Sequence, residues 1–336
     1  MIDQTETAAA AALQAVDEIE VLVLVDNQSD FLSTVPESVT PELPGLRRAG
    51  LTEISGEGLC CAPWGFSLVV TARLGDKSHT VLFDAGPEDY AVERNGDRLG
   101  VDFGAIEAII LSHGHFDHAG GLLAALDGIR GANGGHAVPV HVNSGMFETR
   151  GVRLADGTVV PFKDIPNTNE LVNHGAELVN SDDSRLLLDD TFFVSGDIPR
   201  LTPYEKGLPT HISRSGDGAD WQSDPWIRDE RFLAVRVRDK GVVVFTACTH
   251  AGIVNVLGCA RDLFAPEPLH AVMGGFHLSG ADCEAIIPET VADIGKFGLT
   301  RIVTGHCTGW RAVHALIDAF GEDVVVPTAV GRLHAF

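Results

Sequence analysis

Ser112-His113-Gly114-His115-Phe116-Asp117-His118-Ala119-Gly120-Gly121 is the stretch that decides how the rest of the chain is read. It follows an apolar run at 105–111 whose Ile-Ile-Leu end has the character of a buried strand, and it leads into residues 120–129, where apolar residues recur at helical spacing. In an extended segment residues two apart face the same way, so His113 and His115 can converge on one cation. The turn that follows aims Asp117 and His118 beside them. Four imidazole and carboxylate donors within six residues suit two metal ions better than one. Those donor types favour Zn2+, with Mn and Fe compatible on ligand type alone. A plain polar surface loop is the competing reading, and three histidines and an aspartate directly behind a buried strand end weigh against it.

The same strand, polar loop, helix grammar extends in both directions. Towards the N-terminus, residues 21–25 read as a strand, 26–50 as a proline-rich loop, and 66–72 with 80–83 as two strands joined near Gly75-Asp76, the second ending in Asp84. Beyond the motif, 138–142 is a strand and 191–194 a short β piece. Residues 201–230, with Pro203, Pro209, Pro225, Trp221 and Trp226, are irregular and suggest a loop or lid. From residue 232 the pattern alternates: strands at 232–237, 241–246, 270–273 and 301–303, helices at 253–263, 281–297 and 311–320. Beta-rich pieces early and alternation later give an α/β (α+β) class. Three later strand ends carry histidine: His250, His277 and His306. Strand ends are where such architectures place functional groups. His250 and His306 are candidate metal ligands. His277 is a candidate ligand, proton donor or anion contact, with a purely structural role weighed equally. Asp197 could contribute, although it also reads as an exposed turn residue. Cys248 and Cys307 flank the histidines without CxxC spacing and read as small buried residues.

The 336 residues carry 24 basic and 47 acidic side chains, a formal net charge of −23, which repels polyanions and argues against nucleic acid as a partner. No apolar run approaches the roughly 18 residues needed to span a bilayer. Six cysteines, including adjacent Cys60 and Cys61, do not make a disulfide framework and read as reduced thiols of a cytoplasmic protein. Acidic residues Asp3, Glu6, Asp17 and Glu18 stand where a signal peptide needs positive charge, so residues 1–18 are expected to be a frayed helix or flexible tail. Residues 19–336 are then a single domain with an inserted loop or lid at about 200–230. No Gly-x-Ser-x-Gly elbow supports a serine nucleophile. The expected partner is a small molecule, and a dimer is compatible with the chain.

Beyond these readings, SHGHFDHAGG resembles the HxHxDH signature of the metallo-β-lactamase fold superfamily. DNQSDFL at 26–32, GFSLVV at 65–70, VLFDAG at 81–86, VSGDIPR at 194–200, ACTHAGIVN at 247–255, GGFHL at 274–278 and GHCTGW at 305–310 extend the likeness to the branch similar to ribofuranosylaminobenzene phosphate synthase and dihydropteroate-synthase-like proteins. The resemblance implies an αββα sandwich and a dinuclear metal-dependent hydrolase. In it, a metal-bound hydroxide attacks a phosphoester or related small-molecule ester, such as a pterin-like compound. A lactone or carboxylic ester hydrolase is the alternative, and a non-hydrolytic iron-binding redox protein on the same fold is another. By the same likeness His113, His115 and His250 hold one ion, and Asp117, His118 and His306 the other. Asp117 also orients the nucleophile, and Asp84 supports the metal loop. Arg200, Arg214 or Arg228 would line the mouth. One departure stands out: Asn143 occupies a place where many relatives carry histidine, with His141 two residues earlier as a possible substitute.

Overall fold

The apolar residues of the strand Glu18–Val25 alternate between two interiors: Ile19, Val21 and Val23 enter one buried cluster, Leu24 another. The strand Gly241–Thr246 does the same, sending Val243 and Phe245 to the first cluster and Val242 and Val244 to a third. Strands apolar on both faces must be covered on both. The structure, a computed structural model describing residues 4–216 and 218–336, meets that demand with two sheets stacked face to face and helices on the outside. This is the αββα sandwich.

The first sheet is built on the antiparallel strands Glu18–Val25, Ser67–Leu74 and Lys77–Phe83, continued in parallel by Ile106–Ile110, Val138–Val142 and Ala176–Asn180. Helices Asp89–Leu99 and Leu122–Ala132 cover its outer face. In the second sheet, Leu233–Val237 pairs antiparallel with Gly241–Thr246, which runs parallel to Leu269–Gly274 and then Arg301–Thr304. Helices Ile253–Phe264, Ile287–Ile294 and Trp310–Phe320 cover that face. Among the described residues no helix is long and apolar enough to cross a membrane, and the six cysteines are free thiols.

Three expectations need correction. Of the tail expected at 1–18, residues 1–3 lie outside the described residues. The remainder forms the helix Gln4–Ala11 and the strand Ala15–Val16, which pairs parallel with Arg236 and Val237. Alanines let that helix lie close against Ile253–Phe264, burying Ala10 and Leu13. The helix expected at 281–297 is broken into Ala281–Glu284 and Ile287–Ile294, because Pro288 has no N–H to give a preceding turn and starts a new helix instead. Finally, 201–230 is more than a loop. It contributes His211–Arg214 and Gln222–Ser223 to a small sheet with Thr149–Arg153 and Val159–Pro161.

Candidate metal centre

The strand Ile106–Ile110 runs parallel to its neighbours and ends in the loop that carries the motif. Gly114 lets the motif loop pack against the Met146 backbone, since a Cβ there would lie 2.0 Å from the Met146 carbonyl oxygen. Its N–H donates to Asp229 Oδ2 at 2.8 Å, and Asp229 is itself paired with buried Arg150. Phe116–Ala119 then turns as a single helical turn, which brings Asp117 and His118 round. His250 and His306 arrive from the carboxyl ends of Gly241–Thr246 and Arg301–Thr304 in the facing sheet. Both sheets therefore deliver side chains to one edge of the sandwich.

Five overlapping groups of three donors form among the described residues, three of them through Cys248, and two are the triads expected from the motif, each of buried residues. In the first, His113 Nε2 lies 3.0 Å from His115 Nδ1 and 3.2 Å from His250 Nε2. A single proton can satisfy only one such nitrogen pair, leaving another lone pair facing nitrogen without a cation between. Burial together with the neighbouring imidazoles and Arg150 keeps His113 and His115 well below the usual imidazole range; burial, His277 and His113 do the same for His250. In the second triad, Asp117 Oδ2 lies 3.4 Å from His306 Nε2 and 3.8 Å from His118 Nε2. Neither ring nitrogen of His306 has a hydrogen-bond partner, although the residue is buried. Burial opposes charge on both Asp117 and His118, but their mutual attraction prevails, with Asp84 adding to it on His118. Asp117 falls to about 2 and His118 rises to about 9. Orphaned imidazole nitrogens beside a carboxylate are the donor set a divalent cation takes, so the residues fit the metal that the motif implies.

Carboxylates set the loops from behind. Asp84, fully buried with φ of 60°, accepts from His118 Nδ1 and from Ser112 Oγ, each at 2.7 Å, and Ser112 Oγ in turn lies 2.9 Å from His113 Nδ1. One carboxylate thus orients a histidine of each triad. Asp26 accepts from the His306 backbone N–H at 3.0 Å, and burial pushes its pKa to about 6. Glu230 accepts from the N–H groups of His250 and Ala251 at 2.8 and 2.7 Å, with burial raising its pKa to about 7. Glu205 accepts from Val254 and Asn255 N–H at the start of the following helix. Trp64 Nε1 donates to Asp117 Oδ2 at 3.0 Å.

All six residues of the expected ligand set gather at this edge. His277 stands beside them, its ring centroid 4.7 Å from that of His250, with Nδ1 lacking a hydrogen-bond partner. His141 and Asn143 stay outside both triads. Asn143 Nδ2 donates to the Asp229 carbonyl oxygen, and His250 completes the three-imidazole group. Asp197 pairs with Arg200 and Arg228 on the surface, while Arg214 lies over the Trp221 ring. The cavity of about 350 Å3 beside His250 and His277 is lined instead by Lys206, Glu205, Tyr204, Leu208, Phe276 and their neighbours.

Sequence reasoning missed the supports Trp64 and Glu230, and two participants nearer the donors. Cys248 is no bystander: its Sγ lies 3.3 Å from His118 Nε2 and 3.2 Å from Cys307 Sγ, within reach of donors from both triads. Strand adjacency places it there, with no spacing signal. His211, from the inserted segment, lies with its Nε2 2.9 Å from His115 Nε2.

Comparison with known proteins agrees with this geometry. A family model described as the metallo-beta-lactamase superfamily matches residues 63–265. The chain is similar to the 7,8-dihydropterin-6-methyl-4-(beta-D-ribofuranosyl)-aminobenzene-5'-phosphate synthase of Methanocaldococcus jannaschii, 28% identical over 81% of this chain and 87% of the relative. It resembles an uncharacterized protein of the same organism to the same degree, over 76% of this chain and 88% of that one. Among solved structures, Tm1679, described as a metal-dependent hydrolase of the beta-lactamase superfamily, superposes with a TM-score of 0.66 at 23% identity, covering 94% of this chain and 98% of that one. With more than half of its length matched by the family model and the two-sheet architecture in place, the chain belongs to the metallo-beta-lactamase superfamily.

Proposed function

We propose that the protein is a metal-dependent hydrolase that cleaves a small phosphoester at a pair of divalent cations. His113 Nε2, His115 Nδ1 and His250 Nε2 would hold one cation, and Asp117, His118 and His306 the other. The observation that carries this reading is the meeting of two buried triads at one edge of the sandwich, beside a cavity large enough for a small molecule. Nitrogen and carboxylate donors with the Cys248 thiol at hand favour Zn2+. When bound, such cations act as Lewis acids and make water a competent nucleophile near neutral pH.

The chain's own residues supply the rest. Asp117, steadied by the Trp64 Nε1 hydrogen bond, would also orient the attacking water. His277 lines the cavity and carries a buried Nδ1 without a hydrogen-bond partner, which makes the ring our candidate to hand a proton to the leaving group. Burial works against charge on that ring, but the neighbouring Cys307, Glu230 and Asp117 outweigh it and raise its pKa. Lys206 in the cavity wall suits an anionic substituent, and the similarity to a phosphate synthase supports a phosphorylated substrate. The apolar part of the lining, Leu208, Phe276 and Ile253, favours a second reading, hydrolysis of a lactone or carboxylic ester.

The deciding assay runs the zinc- or manganese-loaded protein against phosphomonoester, phosphodiester, lactone and carboxylic ester probes. The proposal expects the highest kcat/KM on a phosphoester and loss of activity with a chelator. Preference for lactones would select the second reading. Turnover indifferent to chelation would defeat both.

A further inference from the structure

We infer that His211 is a positioning residue that fixes the tautomer of His115, so that the inserted segment completes the metal centre. This rests on the metal reading above and adds to it the outer partner of one imidazole. His115 uses its two nitrogens in different directions: Nδ1 faces His113 Nε2 at 3.0 Å, inside the triad, while Nε2 faces His211 Nε2 at 2.9 Å, outside it. Two ring nitrogens at that separation share one proton. His211 decides which ring carries it, because its Nδ1 lies 3.2 Å from the Asp224 carbonyl oxygen, which can only accept. Nδ1 of His211 therefore holds the hydrogen, and in the neutral ring its Nε2 is an acceptor. His115 must then donate from Nε2, which leaves the lone pair on Nδ1 pointing at the place between His113 and His250. The relay runs from the Asp224 carbonyl through two imidazoles to the atom that would bind the cation.

Packing holds the relay in line. The Phe162 ring stands edge-on to His115 with centroids 5.5 Å apart and lies 5.6 Å from the His211 ring. Both histidines are buried, so water is a poor substitute for the missing acceptor. The small sheet gains a purpose from this: pairing of His211 with Val152 in antiparallel register sets the ring at the height of His115.

The test measures zinc affinity by chelator competition in the full-length wild type, His211→Leu and His211→Gln, together with the imidazole 15N–1H correlations of the zinc-loaded wild type. Leu removes the acceptor, whereas Gln keeps one through its Oε1. His211→Leu is expected to bind the first zinc about 10- to 100-fold more weakly, the usual effect of losing an outer partner, with His211→Gln recovering most of the loss. The wild-type spectrum is expected to show His115 protonated at Nε2 and His211 at Nδ1. Affinity of His211→Leu within twofold of wild type, or His115 protonated at Nδ1, would overturn the inference. If His211→Leu does not fold, His211→Gln and the wild-type tautomers decide. Wild-type protein that takes up no zinc overturns the metal reading as well; uptake unchanged by His211→Leu overturns only the part assigned to His211.

Discussion

His113, His115 and His250 meet as three imidazoles, whereas Asp117, His118 and His306 meet around a carboxylate, and the supports behind them come from different places. The first group leans on Ser112 beneath His113, on His211 behind His115 and on Glu230 beneath the His250 turn. The second leans on Asp84, Asp26 and Trp64, all from the N-terminal part of the chain. The second group is thus fixed by strand ends of the first sheet, while the first depends on residues 211 and 230, in and at the end of the inserted segment. Asp84 is the joint, because it reaches His118 directly and His113 through Ser112. In chemical character they also differ. In the absence of a cation, burial and the neighbouring imidazoles push the first three rings down, while in the second group the Asp117 carboxylate, with Asp84, pushes His118 up.

The contrast can be broken most severely at its centre. His115→Ala removes a donor of the three-imidazole group, and hydrolysis is expected to fall by at least about a hundredfold, with bound metal falling in parallel by elemental analysis. Asp84→Asn comes next. Metal affinity measured by competition should drop at both sites by about 10- to 100-fold, the scale of an outer-partner loss. Glu230→Gln keeps the shape but weakens the acceptor for the His250 turn. It should lower affinity for the first cation only, by about tenfold or less, and equal loss at both sites would erase the distinction drawn here.

The smallest effect lies outside both groups. Burial pushes His334 down to about 3 and His141 down to about 4, both in the first sheet. Their unfolded counterparts titrate near 6.5, so across the interval the unfolded chain binds more protons than the folded one. Their contribution to stability is present above pH of about 6.5 and is lost as pH falls towards 4. Urea unfolding of metal-free protein at pH 7 and pH 5 should show a His334 share of the loss on the order of 1–2 kcal/mol, read as the difference between wild type and His334→Gln, with the other buried histidines supplying the remaining slope.

Much of the fold was legible because its strands are short, apolar and followed by polar loops. The HxHxDH loop was legible as chemistry because its donors are adjacent in sequence, and His250 and His306 because each ends an apolar strand. Cys248 was not, since its place between the triads follows from the stacking of two sheets, which no local spacing records. His211 is 96 residues from His115 and lies in a proline-rich stretch whose pairing with Thr149–Arg153 has no strong alternation to announce it. The docking of the N-terminal helix escaped for a similar reason: a run of alanines packs well against a neighbouring helix but shows no amphipathic stripe. Asn143 left the third donor of the first group open by position, and the imidazole that stands there, His250, comes from the opposite sheet.

The most direct test is elemental analysis of the purified full-length protein after loading and desalting, paired with chelator sensitivity of its hydrolytic activity. Two equivalents of divalent metal, with activity lost on chelation and restored by zinc, is the expected result. Well under one equivalent, with turnover untouched by the chelator, would contradict the account.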